Sequence, residues 1–237
     1  MTNEEMIRAL EKYDTPTITN VIATYPKDPL CLGLYNPWEV NWYTDQDVKC
    51  MYPELGPRAG YAVTVVYGLP TPGADTLSFD DVIRALDASL KPSVLIIKQD
   101  FPENIKKKCG LSGGNMTTAF KKMGVVGVIS DGPSRDIDEI RPMKVQYLLT
   151  GVTPGHGNFA IKAINVPVSV CSMDAAPGEI IHMDENGAVK FPAAVLPKVL
   201  ENAEKLQAIE TRRQKLMREA ENAETVMRAM KGELDEE

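Results

Sequence analysis

The sequence lacks the spacings that mark several common functional sites. Its four cysteines form no C-x-x-C pair and have no partner histidine, so neither a zinc site nor a dithiol redox site is supported. No G-x-G-x-x-G motif and no G-x-x-x-x-G-K-[ST] motif occurs, which argues against dinucleotide and P-loop nucleotide binding. We therefore expect reduced thiols and no nucleotide cofactor.

Long apolar runs and an excess of positive charge are also missing. No stretch approaches the roughly 20 apolar residues that span a bilayer, and the polar segment 1–11 lacks the apolar run of a signal peptide. Lys and Arg total 26 against 33 Asp and Glu, a net charge of -7 that repels polyanions. We expect a cytosolic protein with neither a membrane nor a nucleic acid as partner.

Length and composition indicate one domain over residues 1–237. The chain is 43% hydrophobic, enough for one full-sized core. Residues 25–56 hold several prolines and both tryptophans, a composition that resists regular structure but offers large apolar side chains. We interpret this stretch as an ordered insertion.

Strand and helix patterns alternate through the first half of the chain. Apolar, β-branched runs predict buried strands at 59–67, 94–97 and 125–130, and helices are predicted at 78–90 and 115–123. The second half is mainly strand, with candidates at 146–149, 166–170, 179–183 and 188–191. This order predicts the α/β class.

The last forty residues have a different pattern. Apolar residues recur every three to four positions with dense charge between them, which predicts one long amphipathic helix over residues 194–231. A helix of this length cannot bury its whole apolar stripe on a compact monomer, so we expect part of it to pack on a neighbouring subunit.

The most informative stretch begins with Gly113-Gly114 and ends with Arg135-Asp136. A glycine pair ahead of a helix exposes backbone N–H groups to an anion, and the helix N-terminus adds partial positive charge. The strand at 125–130 would deliver the Arg-Asp pair to its C-terminal end, where ligands of open α/β sheets collect. Alone, each piece is more typical of a turn or a surface ion pair.

In combination these residues resemble a family signature. Gly114 is followed by twenty residues, then Arg135-Asp136, two more residues and Glu139. This resembles the G-x20-R-D-x2-E/D pattern of the RraA-like proteins, which include 4-hydroxy-4-methyl-2-oxoglutarate/4-carboxy-4-hydroxy-2-oxoadipate aldolases and oxaloacetate decarboxylases. Further similarity lies at 14–20, 165–168, 176–179 and 184–189. The chain departs from the family at 25–56, at 100–112 and after residue 213.

The resemblance implies a fold, a reaction and an assembly. The fold is a swivelling β/β/α-type core, with short strands covered by helices, assembled as a trimer or a dimer of trimers. The reaction is metal-dependent retro-aldol cleavage of a small 4-hydroxy-2-oxo acid to pyruvate, with oxaloacetate decarboxylation as a side activity. The active site would lie at a subunit boundary.

The resemblance also implies a role for each matching residue. Backbone amides of Gly113, Gly114, Asn115 and Met116 would hold the pyruvyl part of the substrate. Arg135 would contact the substrate, and Asp136 would bind Mg²⁺ or Mn²⁺. Glu139, which completes the signature, is a candidate for contact with the metal waters. For Asp131, which precedes Gly132, we favour a role in shaping the turn and keep contact with the metal waters as the alternative. Glu210, on the long helix, resembles an acidic residue that family members contribute across a subunit boundary.

The chemistry favours these residue types independently. Breaking the bond next to a 2-oxo group leaves an enolate, whose charge a hard dication and a fixed guanidinium can hold. No lysine lies within the constellation, which makes a Schiff-base mechanism less attractive. His156, in Gly155-His156-Gly157, could carry a proton, but we favour a solvated loop residue. His182 is interpreted as structural.

Two alternatives belong to other classes. A non-catalytic oligomeric regulator is one, because the RraA name derives from proteins that bind and inhibit a ribonuclease. Asp136 beside Arg135 argues against it, since a surface that only binds protein needs no metal ligand. Methyl transfer is the other, and no glycine-rich cofactor loop supports it.

Overall fold

A computed structural model gives the structure of the protein and describes residues 1–25, 28–38 and 41–235. Pro26, Lys27, Glu39 and Val40, which belong to the predicted insertion, lie outside these ranges, as do the last two residues.

An eight-stranded mixed sheet forms the centre of the molecule and curves into a nearly closed barrel. Four parallel strands follow one another through it: β2 (Arg58–Gly68), β3 (Ser93–Asp100), β4 (Val125–Ser130) and β5 (Gln146–Leu149). The antiparallel members are β1 (Lys49–Cys50), β6 (Ala160–Ile164), β9 (Ile180–Asp184) and β10 (Gly187–Phe191). Their order is β1-β5-β4-β3-β2-β9-β10, with β6 also paired to β2.

The middle parts of the central strands are mainly apolar because both of their faces are covered. Val63, Val65 and Leu95 pack beneath helices on one face, while Val94 and Ile96 point into a second cluster. That second cluster is closed by a small hairpin of β7 (Val168–Val170) and β8 (Met173–Ala175). Burial on two faces explains why these runs show no alternation of polar and apolar residues.

Helices cover the sheet on two sides. Those of the first 140 residues are α1 (Asn3–Leu10), α2 (Thr15–Ile22), α3 (Phe79–Ala88), α4 (Glu103–Lys106), α5 (Gly114–Lys122) and α6 (Ile137–Ile140). A capping box at Thr2 begins α1, and the Asp14 carboxylate caps α2. Across the described ranges, no helix has both the length and the apolar character needed to cross a bilayer.

The C-terminal region contains a long helix, as predicted, but not one continuous helix over residues 194–231. α7 (Leu196–Glu219) ends where Ala220 adopts an extended conformation, and α8 (Ala223–Met230) begins after it. The cause is local: the Asn222 side chain accepts a hydrogen bond from Thr225 N and so caps a new helix. The tail turns back along α7, where Asp235 pairs with Arg213.

The segment before β1 is irregular but packed. Trp42 is buried, its indole stacks on Tyr35 with ring centroids 5.2 Å apart, and its Nε1–H donates to the carbonyl of Asn36. Trp38, in contrast, is 90% exposed. One tryptophan therefore serves the core, and the other lies on the surface.

Candidate functional site

The candidate site begins at the loop that precedes α5. Ser112 lies in the left-handed region with φ 60, and its carbonyl accepts hydrogen bonds from three buried hydroxyls. These come from Thr117, Ser134 and Tyr147, at 3.2, 3.1 and 3.3 Å. Because all three donors are part of the core, the backbone of the glycine loop is held at a fixed position.

Arg135 and Asp136 reach this loop from the end of β4. Asp136 is itself left-handed, with φ 58 and ψ 35, and directly precedes α6. Its Oδ2 accepts the N–H of Gly114 at 3.1 Å and lies 3.5 Å from Nε of Arg135. Both side chains are about one-third exposed, at 34% and 35%. The predicted pair therefore faces the predicted anion-binding loop.

The two loop glycines are needed because carboxylates occupy the space of their missing side chains. A Cβ at position 113 would lie 2.4 Å from Asp136 Oδ2. At position 114 it would lie 2.3 to 2.4 Å from the carboxylate atoms of Glu139. Any larger residue would push one of these carboxylates away from the start of α5.

A cavity of about 160 Å³ lies in front of this arrangement. Every residue predicted to bind substrate or metal lines it, together with Glu139. The lining residues are Gly110, Leu111, Ser112, Gly113, Gly114, Asn115, Met116, Arg135, Asp136, Glu139, His156 and Phe159. The structure thus brings together residues from three separate stretches of the chain.

Asp131 is not part of this cavity, which corrects its predicted placement near the metal waters. It is buried and lines a different cavity. Its Oδ2 pairs with the ammonium groups of Lys98 and Lys106, at 2.7 and 2.8 Å, and its Oδ1 accepts from Gln99 N. Because both oxygens have donors, the carboxylate serves this buried ion cluster.

Glu210 also lies away from the cavity within one chain. Burial raises the pKa of its carboxyl, and the carboxylates of Asp14 and Asp28 raise it further, whereas Arg213 opposes them. Glu210 therefore lies near Asp14, at the start of α2, and near Asp28, in the loop that follows α2. Its predicted role across a subunit boundary stays a prediction.

His156 lies in an exposed loop, as the sequence analysis favours, and it also lines the cavity. Its Nδ1 lies 3.0 Å from the carbonyl oxygen of Gly157, and its ring meets Phe159 edge-on with centroids 5.9 Å apart. The loop is attached to the site because Gly110 N donates to Gly155 O. In the sequence, this loop follows the predicted strand at 146–149. In the structure that strand, β5, pairs in parallel with β4, so the two strands end together.

The donor set of the cavity limits which metal it suits. Among the described residues, no group of three His, Cys, Asp or Glu side chains is placed to hold an ion. Asp136 Oδ1 has no donor within the described chain, and Glu139 is close by in the same cavity. A site with a small number of carboxylate oxygens suits Mg²⁺ or Mn²⁺, whose coordination shell water molecules would complete. These donors do not suit a structural zinc site.

Comparisons with known proteins identify a family and several relatives. The family described as RraA-like: Aldolase/RraA matches residues 38–190. An uncharacterized protein of Methanocaldococcus jannaschii is 32% identical over 115 residues, which are 48% of this chain and 55% of that protein. A Thermus thermophilus 4-hydroxy-4-methyl-2-oxoglutarate aldolase is 29% identical over 86 residues, which are 36% of this chain and 52% of that enzyme.

One relative is matched over most of its length. A Burkholderia multivorans protein provisionally named 4-hydroxy-4-methyl-2-oxoglutarate aldolase is 29% identical over 146 residues, 60% of this chain and 84% of that protein. Protein DlpA of Legionella pneumophila, in contrast, is matched over 24% of its length. The matches thus span about half or less of several curated relatives.

Solved structures share the fold. A protein from Pseudomonas syringae superposes with a TM-score of 0.72 at 18% identity, covering 94% of this chain and 92% of that one. RraAS2 of Streptomyces coelicolor, described as an unusual member of an RNase ES inhibitor family, gives a TM-score of 0.65 at 20% identity. That match covers 87% of this chain and 94% of the other. At these identities the likeness concerns the fold alone.

Proposed function

Because this chain belongs to the RraA-like family, we propose that it is a divalent-metal-dependent lyase that cleaves 4-hydroxy-2-oxo acids to pyruvate. Relatives named as 4-hydroxy-4-methyl-2-oxoglutarate aldolases support the reaction class. The observation that carries the proposal is the contact of Asp136 with Gly114 N, with Arg135 beside it in the same cavity. Oxaloacetate decarboxylation is proposed as a side activity.

The start of α5 would bind the substrate carboxylate. The N–H groups of Asn115 and Met116 fall in the first turn of the helix, where no carbonyl of the same helix is available to accept them. Both residues line the cavity, and the helix dipole adds partial positive charge there. The pyruvyl carboxylate would sit on these two amides, beside the Gly114 N–H that holds Asp136.

Arg135 would stabilise the charge that develops when the bond breaks. Its guanidinium is permanently cationic and presents paired donors to a carboxylate or an enolate oxygen. Asp136 would hold Mg²⁺ or Mn²⁺ through its free oxygen. When bound, the ion would polarise the 2-oxo group and offset the negative charge of the enolate.

Pyruvate release from 4-hydroxy-4-methyl-2-oxoglutarate and from oxaloacetate would test this proposal. We expect activity with Mg²⁺, loss of activity with chelator, and a loss of at least about a hundredfold in Asp136→Asn, typical for a missing preorganised electrostatic group. Asp80→Asn, which neutralises an exposed carboxylate of α3, is the matched control. Equal rates under all these conditions would overturn the lyase proposal and favour a non-catalytic regulator.

A further inference from the structure

We propose that His156 is the base that removes the proton from the 4-hydroxyl group of the substrate during retro-aldol cleavage. This inference rests on the proposed function and adds the residue that moves the proton. It is carried by the position of His156 on the wall of the cavity that Arg135, Asp136 and Glu139 also line.

The hydrogen bond of His156 defines which nitrogen can act. A carbonyl oxygen can only accept, so the contact of 3.0 Å between Nδ1 and Gly157 O places the hydrogen on Nδ1. In the neutral ring, Nε2 then carries the lone pair. A backbone carbonyl that fixes the tautomer in this way orients a histidine for proton transfer. The ring also meets the edge of Phe159, another residue that lines the cavity.

The other titratable groups of the cavity have competing contacts or the wrong charge. Arg135 is always protonated and cannot accept a proton. Asp136 accepts the Gly114 N–H and lies beside the Arg135 guanidinium. Glu139 has its carboxylate against the Cα of Gly114, at the start of α5. It is the one competitor for the role, and the experiment includes it.

The proton balance closes within the cavity. Nε2 takes the 4-hydroxyl proton, the bond between C3 and C4 breaks, and C4 becomes a carbonyl carbon. The electron pair of that bond forms the enolate of pyruvate. The imidazolium then returns its proton to C3, which completes pyruvate and restores the neutral ring. No external oxidant, reductant or base is required.

Oxaloacetate provides an internal comparison. It has no 4-hydroxyl group, and loss of CO₂ from C4 leaves the same enolate without removal of any proton. Decarboxylation therefore needs the carboxylate-binding amides, Arg135 and Asp136, but not a base. A variant that lacks the base should separate the two reactions.

The test measures both reactions with Mg²⁺ in His156→Gln, with Asn158→Ala as an exposed control from the same loop that does not line the cavity. Retro-aldol turnover should fall by about 10² to 10⁴ in His156→Gln, while decarboxylation and the calorimetric affinity for oxalate stay close to wild type. Because the ring is exposed, free imidazole should partly restore cleavage in His156→Ala.

The outcomes separate the two proposals. If wild type performs both reactions and His156→Gln lowers both equally or neither, this inference is overturned and the proposed function stands. Selective loss of cleavage in Glu139→Gln, with His156→Gln unaffected, would assign the base to Glu139 instead. If wild type performs neither reaction with Mg²⁺, the proposed function fails and the role of His156 fails with it.

Discussion

At the scale of single residues, Gly113 sets the distance between the start of α5 and the Arg135-Asp136 pair. Its backbone, with φ -68 and ψ -173, is accessible to any residue, so glycine is required there for space and not for conformation. A Cβ would meet Asp136 Oδ2 at 2.4 Å and Arg135 Nε at 3.0 Å. Asp136 and Arg135 therefore occupy the space that the methyl group of an alanine at position 113 would need.

Gly113→Ala should consequently lower activity and leave the fold intact. The methyl group would displace the Asp136 carboxylate from Gly114 N, and a displacement of about 1 Å at a reacting centre can cost on the order of a hundredfold in rate. The midpoint of thermal unfolding should change little. Turnover of oxaloacetate and a melting curve check both statements.

Gly155→Ala provides the control for this prediction. Position 155 lies in the loop that carries His156, but a Cβ there has no atom within 4 Å. It should therefore leave both turnover and melting unchanged. Wild-type activity in Gly113→Ala would show that the position of Asp136 does not matter to the reaction.

At the scale of elements, His182 connects β9 to the first two helices. It is fully buried, with Nδ1 2.9 Å from the hydroxyl of Thr15 and Nε2 3.2 Å from the carbonyl of Leu10. The carbonyl fixes the hydrogen on Nε2, so the Thr15 hydroxyl donates to Nδ1. Burial lowers the pKa of His182 below the ordinary 6.5. The sequence-based interpretation of this histidine as structural agrees with its contacts.

Stability should therefore fall as the pH falls below the ordinary histidine range. Below pH 6.5 the unfolded chain binds a proton that folded His182 resists, so the free energy of the unfolded state falls relative to that of the folded state. Above pH 6.5 the contribution of His182 to the free energy of unfolding is fully present. Urea unfolding between about pH 5 and pH 7.5 should show this slope.

The histidine variants assign the slope to one residue. His182→Gln should be less stable at neutral pH, by about 1 to 3 kcal/mol for disrupted buried hydrogen bonds, and its slope should be shallower. His156→Gln, which changes the exposed histidine, should keep the wild-type slope. A slope that persists unchanged in His182→Gln would contradict the assignment.

The elements that sequence predicts well are those whose patterns are local. The predicted strands at 125–130 and 146–149 coincide with β4 and β5, because continuous apolar runs between glycine or polar turns leave few alternatives. β6 (Ala160–Ile164) was missed, since its half-buried residues give no clear alternation. Its conformation depends on pairing with β2, which lies far away in sequence. The break at Ala220 was missed because the apolar periodicity continues through it.

At the scale of the whole molecule, the candidate site forms where distant segments meet. The signature residues already indicate that the glycine loop and Arg135-Asp136 belong together, and the structure places them in contact. His156 joins them through the parallel pairing of β4 and β5 and through the bond of Gly110 to Gly155. Asp131 does not belong to the candidate site because it forms ion pairs with Lys98 and Lys106. These lysines are distant in sequence and meet Asp131 only in the folded chain. Sequence order thus indicates candidates, and tertiary contacts decide among them.

Assembly is the remaining question at this scale, and Glu210 makes it testable. Helix α8 turns back and packs on part of α7. The apolar face of the C-terminal helix therefore no longer requires a partner subunit to cover it. Glu210, however, lines no part of its own chain's cavity. We predict a trimer or a dimer of trimers, in which Glu210 of one subunit acts at the cavity of the next. A monomeric mass at micromolar concentration would contradict this prediction.

Mixing two inactive variants would determine whether the site is shared. Each chain of a mixture of Asp136→Asn and Glu210→Gln carries one defect, so no site is intact if both residues act within one chain. If Glu210 acts across a subunit boundary, a site is intact when one chain supplies Asp136 and its neighbour supplies Glu210. In trimers formed at random from an equal mixture, this holds at about a quarter of the sites. After joint unfolding and reassembly, activity should therefore rise to about that share of wild type. Each variant refolded alone is the control and should stay inactive. If the mixture is no more active than these controls, Glu210 does not take part in the reaction of the neighbouring subunit.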